Sequence, residues 1–163
     1  MKHFNVLMIC TGNICRSPTA DGLLRKLVRD AGWQEQVQVD SAGTDDYHVG
    51  EAPDRRAQTH ARKRDIDLSG LRARQVHAHD FEHFDLLLAM DKSHLRRLEQ
   101  QCPAAYRHKV KLFLDFAPGQ SEREVPDPYY GGAEGFEQVL DLVEAGCDGV
   151  MQHIAQHIGR SWP

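Results

Sequence analysis

The chain has 163 residues, 40% of them hydrophobic and 27% charged, with a formal net charge of −4. That length suits a single domain spanning residues 1–163 around one core. The slight acidity excludes a broad basic surface for nucleic acid, so any anion site must be local.

Phe4 to Ile9 is a compact apolar run, which predicts a buried strand. It is too short for a signal peptide, and Thr11-Gly12-Asn13 follows it in place of a cleavage site. No stretch is long enough to span a bilayer, so the expectation is a cytoplasmic protein without a membrane partner. Pro18 opens a helical pattern with Leu23, Leu24, Leu27 and Val28 on one face, Ser17 standing where an N-cap belongs. Val37 to Ser41 is the second strand, and Pro53 starts a helix that runs to about Arg64. Phe84 to Met90 is the third strand, Lys92 to Gln101 the next helix, and Val110 to Phe113 a short fourth strand. Ala117 to Gly135 is a long loop, as working loops often are. A last helix carries Phe136, Val139, Leu140, Val143, Cys147, Val150, Met151, Ile154 and Ile158 at helical spacing, with Gly146 and Gly149 unexplained inside it.

Strands alternating with helices predict a three-layer α/β fold: a central four-stranded parallel sheet with helices on both faces. Right-handed crossovers put every strand-to-helix loop at one edge, where ligands of such sheets bind. The segment Cys10-Thr11-Gly12-Asn13-Ile14-Cys15-Arg16-Ser17-Pro18 lies there, between strand 1 and helix 1. Backbone N–H groups in such a loop and the following helix dipole favour an anion, a thiolate included. Thr11 to Ser17 would cradle a phosphate, and Gly12 and Asn13 tolerate left-handed backbone. Arg16 can hold two phosphate oxygens as a planar fork, and Ser17 can donate to the Cys10 thiolate. Cys10 would attack phosphorus and form a phosphocysteine, splitting hydrolysis into two steps. A general acid is then needed for the leaving oxygen. Asp127, stiffened between Pro126 and Pro128, is the candidate, although a Pro-Asp-Pro turn alone reads as easily as an ordinary turn.

The motifs C-T-G-N-I-C-R-S at Cys10 to Ser17 and D-P-Y-Y-G at Asp127 to Gly131 resemble those of the low-molecular-weight protein tyrosine phosphatases. Asp40 to Thr44, Val49 to Ala57, Ala73-Arg74-Gln75 and Met90 to Ser93 extend the resemblance over nearly the whole chain. D-P-Y-Y-G with an aromatic at Tyr47 is similar to the branch shared by eukaryotes and some bacteria. The resemblance implies hydrolysis of phosphotyrosine and small aryl phosphates, with no cofactor and no metal. It implies that Asn13 and Ser41 support the phosphate loop, and that Tyr47, Tyr129 and Tyr130 wall the substrate cleft. It implies tyrosine-phosphorylated protein substrates, a tyrosine kinase among them, and a monomer or weak dimer. Leu71 stands where many relatives carry a His that braces the loop, so another group must brace Asn13 or the loop is held less firmly.

Other features read as bland. The pairs His153/His157 and His77/His79 lack further ligands at metal spacing. Asp45-Asp46 reads as a solvated turn, Arg55 to Arg64 as a solvated helix face, and Asp91 as support for the next helix N-terminus. Cys15 either packs in the loop or pairs with Cys10 as an oxidation shield. A thioredoxin-coupled arsenate reductase shares this fold and loop, but needs resolving cysteines after the third strand, where Met90 to His94 has none and Cys102 lies a helix away. A module that only captures phosphate would not need Cys10, Arg16, Ser17 and Asp127 together.

Overall fold

The computed structural model describes residues 1–163. Strand β1 (Phe4–Cys10) leads to helix α1 (Arg16–Asp30), strand β2 (Val37–Gly43) and helix α2 (Arg55–Arg62). Then come a one-turn helix α3 (Asp80–His83), strand β3 (Leu86–Ala89) and helix α4 (Lys92–Gln101). Strand β4 (Val110–Leu112) runs into a 3-10 turn, Phe113–Phe116, and the chain closes on the long helix α5 (Ala133–Ile158).

The four strands form one parallel sheet in the order β2-β1-β3-β4. Period-2 alternation sends successive side chains to opposite faces, so β1 feeds two cores. Phe4, Val6, Met8 and Cys10 join α1 and α5 on one face, while Leu7 and Ile9 join Phe81 of α3 and Leu98 of α4 on the other. Both faces are therefore covered, as a parallel sheet requires. Each fully buried side chain such as Leu7, Leu24 or Leu87 contributes about 1.5–3 kcal/mol through removal from water.

The chain leaves β1 for β2 on one side, and β3 pairs on β1's other side. The carboxyl end of β1 is thus the switch point of the sheet, where a crevice opens. Several boundaries differ from the sequence expectation. The α1 N-cap position falls to Cys15, which makes no side-chain cap, and Ser17 lies inside the first turn with its hydroxyl turned to the Cys10 sulfur. Helix α2 begins after Pro53, because the Asp54 carboxylate accepts from the N–H groups of Arg56 and Ala57 and so caps it. Strand β3 is trimmed at both ends, and Phe113 bends into the 3-10 turn.

Gly146 and Gly149 have a packing reason. A methyl on Gly149 would sit 1.6 Å from the Phe116 carbonyl oxygen, and one on Gly146 would sit 2.2 Å from the Phe113 ring. The two glycines let α5 lie directly against the turn that follows β4.

Candidate active site

The loop from Cys10 to Ser17 is held by its carbonyls. Thr44 and Asp45 N–H groups donate to the Cys10 and Thr11 oxygens at 2.8 and 3.0 Å, and Asp54 N–H donates to the Ile14 oxygen at 2.8 Å. The Cys15 oxygen accepts from the Thr19 N–H and hydroxyl. None of the N–H groups from Thr11 to Cys15 donates to a protein acceptor. With carbonyls tied outward and N–H groups unclaimed, the loop is a ready anion nest at a helix N-terminus.

Asn13 carries the left-handed turn, at φ 58°. Its side-chain amide is doubly engaged: Nδ2 donates to Ser17 Oγ at 2.8 Å, and Oδ1 accepts from the Arg74 N–H at 3.0 Å. The Arg74 backbone therefore braces Asn13 although Leu71 replaces the family His, and Leu71 itself packs against the core. Gly12 does not share the positive φ expected of it. It admits close approach of His48 instead, whose ring carbon would lie 2.9 Å from a Gly12 methyl. Gly43 serves the same end more strictly, since a methyl there would sit 2.6 Å from the Thr11 carbonyl oxygen.

Cys10 Sγ lies 3.0 Å from Ser17 Oγ. Because Asn13 donates to that oxygen, the Ser17 proton is directed at sulfur, where it stabilises a thiolate. Cys15, by contrast, is held as a thiol. Burial pushes its titration well above the usual thiol range, and Asp54 adds to the effect. All four cysteines are free and buried, and Cys102 lies in the other core, behind the sheet.

Arg16 is buried and aimed. One nitrogen, Nη1, donates to Asp91 Oδ2 at 2.8 Å and to the Val125 carbonyl at 3.0 Å, which uses both its protons. Nε makes no hydrogen bond within the protein and is left for a phosphate, and Nη2 has only a long 3.5 Å approach to His94. Burial alone would raise the Asp91 carboxyl, but hydrogen bonds from Ser93, His94 and Arg16 outweigh it and hold Asp91 at about 2. Asp91 is thus both the expected cap of α4 and, unforeseen, the anchor of Arg16.

His94 was also unforeseen. Its Nε2 lies 2.7 Å from Thr11 Oγ1 and 3.5 Å from Arg16 Nη2, and its Nδ1 lies 3.1 Å from Asp91 Oδ1. The Asp91 N–H donates to Nδ1 at 3.3 Å, which closes the capping box and leaves the proton of a neutral ring on Nε2, toward Thr11 Oγ1. Burial and the Arg16 cation lower its titration to about 4. The signal for it was the cap sequence Asp91-Lys92-Ser93-His94, which puts residue 94 back over residue 91.

No hydrogen bond joins the Ser41 side chain to the loop. Ser41 is buried in β2, beside α1 with its buried Asp21. Asp45 is more than a solvated turn, since it pairs with Arg97 at 3.3 Å. His153 and His157 are not free surface groups either: both pack on the Phe4 ring.

Cys10, Thr11, Gly12, Ile14, Cys15, Arg16, Tyr47, His48, Asp127, Tyr129 and Tyr130 line one cleft of about 290 Å³. Asp127 Oδ2 lies 3.8 Å from Arg16 Nη2, and its Oδ1 accepts from the Tyr129 N–H at 3.0 Å. Tyr130 is 92% exposed and Tyr47 74% exposed, so both stand as rim rather than wall. The floor takes a tetrahedral anion, the sides take a flat apolar group, and a carboxyl waits at the mouth.

A family model described as low molecular weight phosphotyrosine protein phosphatase matches residues 5–160. The chain belongs to that family. It is 42% identical over 145 residues to the low molecular weight phosphotyrosine protein phosphatase of Homo sapiens, covering 88% of this chain and 90% of that one. It is 39% identical over 158 residues to the low molecular weight protein-tyrosine-phosphatase of Streptomyces coelicolor, covering 95% and 96%. Among solved structures, a protein tyrosine phosphatase from Entamoeba histolytica superposes with a TM-score of 0.89 at 36% identity, covering 96% of this chain and 98% of that one. The Cys10–Ser17 nest is termed the phosphate loop for its unclaimed N–H groups, and the segment around Asp127 the acid loop for its carboxyl.

Proposed function

We propose that this phosphatase hydrolyses phosphotyrosine and small aryl phosphate monoesters through a phosphocysteine on Cys10. One observation carries the reading: a buried Cys10 with a hydroxyl donor, a buried Arg16, five unclaimed loop N–H groups and the Asp127 carboxyl all meet in a single cleft.

In the first step Cys10 sulfur forms a bond to phosphorus as the bond to the tyrosine oxygen breaks. Asp127, protonated, gives its proton to that oxygen, so tyrosine leaves neutral. Arg16 and the loop N–H groups hold the three equatorial oxygens, where charge is spread in the transition state. In the second step Asp127, now a carboxylate, takes a proton from water as the water oxygen attacks phosphorus. Inorganic phosphate leaves, and Ser17 receives the thiolate with its hydrogen bond. Tyr47 and Tyr129 flank the ring, with Tyr130 at the outer edge.

The open, tyrosine-lined mouth suits a phosphotyrosine presented on a protein surface, a tyrosine kinase included. Four free cysteines suit a reducing cytoplasm, and we propose a monomer or weak dimer there. No helix is long and apolar enough to cross a membrane.

The test is purified protein with p-nitrophenyl phosphate and phosphotyrosine, against arsenate with thioredoxin. Turnover of both esters, none of arsenate, and loss of ester turnover by at least about 10⁴-fold in a folded Cys10→Ser variant is the expected outcome. Residual turnover near wild type in that variant would end the covalent mechanism.

A further inference from the structure

The acid loop has few ties to the body of the protein, and one of them comes from α2. Arg56 Nη2 donates to the Tyr129 carbonyl at 2.9 Å, and the Arg56 guanidinium also lies over the Tyr129 ring, 5.5 Å from its centre. Tyr129 in turn donates its N–H to Asp127 Oδ1 at 3.0 Å. The same Arg56 Nη2, together with Nε, is held as a fork by Asp54, with Nε at 3.2 Å from Oδ1 and Nη2 at 3.1 Å from Oδ2. Asp54 caps α2 through the Arg56 and Ala57 N–H groups, and its own N–H donates to the Ile14 carbonyl at 2.8 Å. Arg56 also covers the ring of Phe136, 4.8 Å away, and His60, one turn on, stacks against that same ring at the start of α5.

A continuous path thus runs from Ile14 in the phosphate loop through Asp54, Arg56 and Tyr129 to the Asp127 carboxyl. We propose that Arg56 is a positioning residue for the general acid, a strap that sets the Asp127 carboxyl at a fixed place over the phosphate nest. The inference rests on the reading of Asp127 as the acid. An arginine is needed because three acceptor contacts, two on a carboxylate and one on a carbonyl, require a planar fork with a donor to spare. With the Arg56 side chain 46% exposed, the pair adds little stability. Its value lies in aim, since small misplacements of a reacting group cost rate steeply.

The strap predicts a leaving-group signature. Arg56→Ala should slow phosphoenzyme formation from phenyl phosphate by about tenfold, and from p-nitrophenyl phosphate by no more than about twofold, because the better leaving group needs the proton less. Arg56→Lys should fall between, and inhibition by inorganic phosphate should be unchanged, because the nest is intact. In an Asp127→Asn background Arg56→Ala should cost nothing further, since an absent proton cannot be mis-aimed. Equal losses on the two esters, or a full further loss in the Asp127→Asn background, would overturn the strap. If Asp127→Asn steepens the leaving-group dependence and Arg56→Ala does not, the strap alone fails. If Asp127→Asn leaves that dependence unchanged, the acid assignment fails and the strap with it.

Discussion

The phosphate loop and the acid loop line the same cleft and are built in opposite ways. The phosphate loop is one contiguous segment in which Asn13, Arg16 and Ser17 are at most 4% exposed. Its carbonyls are fixed by four backbone partners, and its one left-handed residue is fixed by two side-chain hydrogen bonds. The acid loop keeps its Asp127 carboxyl 46% exposed and Tyr130 at 92%. It is tied down at a few points: the Val125 N–H to the Met90 carbonyl, Arg16 to the Val125 carbonyl, and Arg56 to the Tyr129 carbonyl. The difference matches the chemistry proposed for the site. Charge stabilisation gains from a rigid, preorganised nest, whereas an acid at the mouth must admit substrate and meet a leaving oxygen whose position varies with the ester.

The largest effect should come from breaking the rigid half. Arg16→Lys replaces a fork held by Asp91 and Val125 with a point charge, and should lose on the order of 10²–10³ in kcat/KM. The loss should be similar for good and poor leaving groups, because the equatorial oxygens are the same in both. Steady-state kinetics with phenyl and p-nitrophenyl phosphate checks this. A loss confined to poor leaving groups would merge the roles of the two loops.

A smaller effect separates the supports of the two halves by pH. His94 is buried behind the phosphate loop with its titration lowered to about 4 against an ordinary 6.5. Between those values the unfolded chain binds more protons than the folded one, so stability rises with pH through that window and is flat above it. Acid should therefore weaken the protein between pH 6.5 and 4 by roughly 3 kcal/mol through this residue. Asp91, lowered to about 2 from 3.8, adds a loss only at still lower pH. Urea midpoints measured across that range should fall less steeply for His94→Gln than for wild type. Identical slopes would remove His94 from the loop's support.

The same contrast decides what could be read from the residues alone. The order of strands and helices, and Cys10, Asn13, Arg16 and Ser17 as one site, were legible because periodicity and a contiguous motif carry them. Asp127 was legible mainly through resemblance, since Pro-Asp-Pro is an ordinary turn. Asp91 as anchor, His94, Val125 and Arg56 were not. Arg16 meets His94 across 78 residues and Val125 across 109, and Arg56 meets the Tyr129 carbonyl across 73. Those pairings exist only once the sheet has brought its carboxyl edge together. Arg56 read as a solvated helix face because helical spacing predicts an outward side chain and gives no hint that another loop lies over it. Gly146 and Gly149 were opaque for the same reason, their partners being Phe113 and Phe116.

The division of labour between the loops is tested most directly by burst rates of Asp127→Asn on a series of aryl phosphates. Phenolate from tyrosine, with a reference pKa of about 10, leaves slowly without a proton, whereas p-nitrophenolate needs it less. The variant's rate of phosphoenzyme formation should depend on leaving-group pKa more steeply than the wild type's, with the lines converging toward the best leaving groups. Parallel lines would mean that the proton comes from elsewhere and that the acid loop does not carry the acid.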